Sequence, residues 1–120
     1  MVSLGESNLM MQSQLEEDDE PQISQEVFMK SIIFKKQRAD KLIFSKEYQK
    51  ALNSYMQIIE EIGLKSGNDI EAFRLKVFSN MTLCYLKIKQ FLCCLELSQE
   101  VLDEDPCNLK IYLRYDIIAV

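Results

Sequence analysis

The sequence contains no histidine, only three glycines and two prolines, and no Lys or Arg among its first 26 residues. Each absence excludes something. Without histidine and without a C-x-x-C spacing, the four cysteines Cys84, Cys93, Cys94 and Cys107 make a poor zinc site. Neighbours Cys93 and Cys94 would point about 100° apart on a helix, so no metal is expected and the thiols read as small buried hydrophobes in a reducing compartment. With no glycine-rich phosphate loop and no serine or histidine motif, nothing supplies the base, acid or nucleophile that catalysis needs. The expected function is not enzymatic, and no cofactor is expected. No apolar run reaches the roughly 18 residues that span a bilayer. Met1 to Gln14 lack the basic and apolar regions of a secretory signal, so no membrane is expected as partner and the expected compartment is the cytoplasm or nucleus.

Charge is divided unevenly along the 120 residues. Seven of the 19 acids lie in residues 1–26, and the other twelve face all 14 bases from Val27 onward. The net charge of −5 therefore belongs to the start of the chain. Residues 1–25, with QLEEDDEPQISQE, read as a disordered acidic leader, because a charge block with few large apolar groups cannot offset chain entropy. The bases form no arginine-rich or aromatic-interleaved stripe, so nucleic acid is not an expected partner.

From residue 26 the apolar spacing is helical throughout. It predicts helices over Val27–Ile43, Tyr48–Ile62, Ala72–Lys87, Phe91–Leu102 and Leu109–Val120. Glu26 is placed in the first turn of the first helix. Gly63 to Asp69 reads as a loop or a weak helical extension. Pro106 ends the fourth helix and Asn108 offers an N-cap to the fifth. The fold class is all-α, with short connections that make successive helices antiparallel neighbours.

The segments also repeat. A frame of about 34 residues opened at Leu75 puts Phe78, Met81, Thr82, Tyr85, Cys94, Val101 and Pro106 at its fourth, seventh, eighth, eleventh, twentieth, twenty-seventh and thirty-second places. Ser98 stands at the twenty-fourth, where an aromatic is wanted. A frame opened at Ile32 puts Ala39, Leu42, Ala51, Tyr55 and Ile58 at the equivalent places. KEYQKALNSY from Lys46 and KQFLCCLELS from Lys89 correspond, with extra residues near Gly63–Ile70. A third frame starts at Leu109, giving repeats over about 32–74, 75–108 and a partial 109–120. Small residues at places eight and twenty let the helices of a hairpin approach closely, and such hairpins must stack to bury their faces.

On these residues, 30–120 resemble the tetratricopeptide-repeat domain of cytosolic co-chaperones, above all that of the large immunophilins, in truncated form. The stretch FSNMTLCYLKIKQFLCCLELSQEVLDEDPCNLKIYLRY carries the likeness most clearly. The resemblance implies hairpins stacked as a right-handed solenoid and a protein-interaction or adaptor role. It also implies a concave groove that clamps the acidic C-terminal tail of heat-shock chaperones, ending Glu-Glu-Val-Asp. Family positions carry over to Lys36 in the first helix, Asn80 in the third, and Lys110 with Arg114 in the fifth. The Asn that the family places four residues after the first lysine is here Asp40. A carboxylate there either repels the ligand carboxylate, at about 4 kcal/mol for roughly 4 Å and an effective dielectric near 20, or pairs with Lys36 and neutralises part of the clamp. Lys35, Arg38 and Lys41 read as solvated neighbours that raise the local potential. The alternative role is structural assembly, with self-association through the apolar Ile117, Ile118 and Val120.

Overall fold

A computed structural model describes residues 21–119 as helices and short connections, with no strand among them. The helices are α1 (Pro21–Phe44), α2 (Tyr48–Ile62), α3 (Asn68–Lys87), α4 (Phe91–Glu104) and α5 (Leu109–Ala119). None of them is long and apolar enough to cross a membrane. Most of the expected acidic leader, together with Val120, lies outside the described residues. The chain divides into two compact units, residues 1–33 and 34–120, and every site considered below belongs to the second.

Two helix starts are earlier than the apolar spacing indicates. The helix α1 begins at Pro21, before the expected boundary at 26, so Glu26 falls beyond the first turn. A proline in the first turn loses no hydrogen bond, and its fixed φ suits the helix, so PQISQ is helical although it looks like leader. The helix α3 begins at Asn68, four residues before Ala72, with Asp69 and Glu71 in the first turn where the dipole favours acids. The loop between α2 and α3 is therefore short. Gly63 (φ 53°) and Gly67 (φ 132°) at its two ends adopt backbone conformations that a side chain rarely tolerates. Arg74 bridges this loop, donating from Nη2 to the Gly63 and Lys65 carbonyls at 3.3 and 3.1 Å.

The two helix-to-helix turns of the paired frames are built alike. Among the described residues, Lys46 and Lys89 are the non-glycine residues with positive φ, at 61° and 66°. In the first turn Lys46 N–H donates to Ile43 O at 2.9 Å and Glu47 N–H to Leu42 O at 2.8 Å. In the second, Lys89 N–H donates to Leu86 O at 3.1 Å and Gln90 N–H to Tyr85 O at 2.9 Å. This pair of reversed bonds around a left-handed residue is the Schellman arrangement, which satisfies the last carbonyls of the preceding helix. The correspondence of the KEYQ and KQFL segments thus holds at the level of backbone geometry. After α4, Asn108 caps α5 as expected, its Oδ1 accepting from Ile111 N–H at 3.2 Å.

In the second unit α2 packs on α3, α3 on α4, and α5 on both α3 and α4. Ala39, Thr82, Ala51 and Cys94, the small places of the two frames, are all buried, as is Ser98. The thiol of Cys94 donates to the Thr82 backbone carbonyl at 3.3 Å, so α4 comes close to the α3 backbone at this point. Cys84 and Cys94 are buried as expected, whereas Cys93 and Cys107 are exposed and do not pack in the core. The 100° between consecutive helical residues separates Cys93 from its buried neighbour.

Candidate functional site

The expected site residues fall into three environments, and the first is a closed polar network joining α1, α2 and α3. Lys36 and Asp40 lie one turn apart on α1, and Lys36 Nζ donates to Asp40 Oδ2 at 3.0 Å. The other oxygen, Oδ1, accepts from Asn80 Nδ2 of α3 at 3.1 Å and from the Tyr55 hydroxyl of α2. Asn80 Nδ2 also reaches the Tyr55 oxygen at 3.3 Å. The carboxylate of Asp40 therefore has three donors from three helices, and the pairing with Lys36 is the second of the two outcomes that its position allowed.

By its place in the repeat frame Tyr55 reads as a packing residue only. It does fill the core, with no exposed surface, but its hydroxyl is also a member of the network. An aromatic with a polar tip is the one feature that could have pointed to it, because a buried Tyr hydroxyl almost always has a partner. Burial first, and then the Asp40 carboxylate, push the Tyr55 phenol far above its ordinary pKa.

Arg114 is the second environment. It is half-buried on α5 and turns onto α3. Its Nη1 donates to the Ser79 carbonyl at 2.6 Å, to Thr82 Oγ1 at 2.9 Å and to Ser79 Oγ at 3.3 Å. All three acceptors are neutral, and no described carboxylate pairs with this guanidinium. Burial lowers its pKa from the ordinary arginine value, because a poorly solvated cation is disfavoured.

Lys110 is the third. It is exposed, one turn before Arg114, and shares no bond with the network. Hydrogen bonds thus link α1 to α3 through Asp40 and Asn80, and α3 to α5 through Ser79, Thr82 and Arg114, the two sets using neighbouring residues of α3. A separate cleft of about 560 Å³ lies between α1 and α2, rimmed by Lys35, Arg38 and Lys41 over Leu42 and Ile58. It contains none of the expected site residues, and Lys35 there is paired with Glu61 at 2.7 Å.

Burial also gives a pH signature. The Cys84 thiol is pushed up to about 11 by desolvation, against an ordinary 9, with Arg114 nearby pulling it down less strongly. The folded chain then keeps a proton that the unfolded chain has lost. Stability from Cys84 is complete below about pH 9 and is lost as pH rises toward about 11, and the Tyr55 shift acts in the same direction. The urea midpoint is expected to fall steadily across that window, with a shallower fall in Cys84→Ala. A midpoint flat to pH 11 would contradict the burial of both groups.

Comparison with protein-family models, with curated proteins and with solved structures returns no match, so what the chain does is argued from its own residues.

Proposed function

We propose that this chain is a peptide-binding adaptor of the tetratricopeptide type, which captures the C-terminal carboxylate of an acidic peptide tail, such as that of a heat-shock chaperone. Arg114 is its anchoring cation. One observation carries this reading: Arg114 is a half-buried guanidinium whose bonds go only to neutral oxygens. A desolvated cation of this kind gains most from an incoming anion, and a guanidinium can offer a carboxylate two parallel donors. Two further features support it. The Schellman turns at Lys46 and Lys89 match hairpin to hairpin, as stacked repeats require, and side-chain hydrogen bonds link α1 to α3 and α3 to α5. Exposed Lys110 adds positive potential beside the anchor. A cytoplasmic location goes with such a partner.

The test is calorimetric titration with Met-Glu-Glu-Val-Asp as free acid and as C-terminal amide, against the native chain and Arg114→Met. The free acid is expected to bind at least about tenfold more tightly than the amide, a charge-assisted contact being about 1.5–3 kcal/mol, and Arg114→Met to erase the difference. Equal binding of both peptides, or binding of neither, rules out carboxylate capture.

A second reading, structural assembly, is favoured by the outer face of α5. Ile111 is buried and Ile118 half-buried toward α3 and α4, while Leu109, Leu113 and Ile117 form a stripe on the opposite side, with Ile117 66% exposed. Of the apolar end residues only Ile117 therefore faces outward, Val120 lying outside the described residues. Assembly through this stripe predicts a mass by light scattering that rises with concentration and returns to monomer in Leu113→Asp with Ile117→Asp. A monomer at every concentration removes this reading.

A further inference from the structure

We infer that Asp40 sets which anions this groove accepts, because its carboxylate is the resident occupant of a fixed donor set formed by Lys36, Tyr55 and Asn80. The inference rests on the peptide reading above and names the ligand class within it. Three donors on three helices converge on one carboxyl group, two at Oδ1 and one at Oδ2. This is how a receptor holds a carboxylate, and here the carboxylate belongs to the protein. The donors are held by the fold. Tyr55 is fully buried, and Asn80 is fixed on α3 between Oδ1 and the Tyr55 hydroxyl.

Two consequences follow for a ligand. A second carboxylate arriving at this donor set meets donors already engaged, and it meets the like charge of Asp40 within reach. A neutral amide or hydroxyl meets no such repulsion and can donate to the exposed edge of the carboxylate, whose side chain is 32% accessible. The native groove therefore takes a single carboxylate, at Arg114, beside a neutral polar group. Replacing Asp40 by Asn keeps the shape and an acceptor for Tyr55 and Asn80, while its amide cannot hold the Lys36 ammonium. Lys36 is then released to bind an anion from outside.

The experiment compares Met-Glu-Glu-Val-Asp with Met-Glu-Glu-Val-Asn, which has one carboxylate fewer at its last residue. The native chain, Asp40→Asn and Lys36→Met/Asp40→Asn are each titrated with both peptides, after thermal melts establish that each is folded. The native chain is expected to bind the two within about threefold, and Asp40→Asn to prefer the dicarboxylate end about tenfold or more. The double variant is expected to lose that preference. Asp40→Ser, smaller and also neutral, gives the same preference should Asp40→Asn fold poorly. A native chain that already prefers the Asp peptide tenfold, or neutral variants that gain nothing, overturns the inference. In that event the acid-against-amide difference at Arg114 shows whether the peptide reading still stands, and binding of no peptide by any variant overturns both.

Discussion

Tyr55→Ala is expected to cost about 4 kcal/mol in urea denaturation, or to leave the chain unfolded at room temperature. The ring is fully buried in α2, and removing a buried aromatic typically costs about 3–5 kcal/mol in lost transfer energy and residual cavity. The hydroxyl adds to this, because it is one of three donors to Asp40 and an acceptor for Asn80. Tyr55→Phe separates the two contributions. It keeps the packing and removes only the network bond, so a loss of about 1–2 kcal/mol is expected, Asp40 retaining Lys36 and Asn80. A Tyr55→Ala loss below about 1 kcal/mol would mean that the three helices are not held together at this point.

Overpacking at Cys94 is the second large effect. Its thiol meets the Thr82 carbonyl at 3.3 Å, and the residue has no exposed surface. Cys94→Leu adds branched volume where α4 approaches α3, and it removes the thiol bond. The side chain cannot be accommodated unless the two helices separate, and Arg114, which donates to Thr82 on the same stretch of α3, is displaced with them. A loss of about 3 kcal/mol is expected, the upper part of the range for inserted methylenes. Cys93→Leu is the control. It makes the same change one residue away on an exposed face, so its effect is expected to stay within about 0.5 kcal/mol. Similar losses in both variants would refute a close approach of α3 and α4.

Legibility differed between the fold and the site. Tyr48–Ile62 was readable end to end, because the amphipathic stripe is strong and Gly63 marks its end. The starts of α1 and α3 were not, since Pro21 and the polar SGND segment carry loop-like composition into helical turns. In the site, Lys36, Asp40 and Asn80 are singled out by the resemblance to the tetratricopeptide family, whereas Tyr55 is absorbed into the apolar count because its ring satisfies the helical pattern. Lys110 and Arg114 looked equivalent at a spacing of four. They differ because a helix packed on one side sends residues 40° apart into different surroundings near the edge of its buried face.

The sequence by itself determined the all-helical class, the equivalence of the two turns at Lys46 and Lys89, and the small residues where helices meet. These depend on local periodicity and on steric size, both written in consecutive residues. Only the tertiary structure decided that Asp40 is held by three helices at once and that Arg114 turns onto α3 without a described counter-ion. Those facts concern which partner reaches a charged group first. Asn80 is 40 residues from Asp40 and Arg114 is 35 from Ser79, and no spacing rule within one helix brings such residues together.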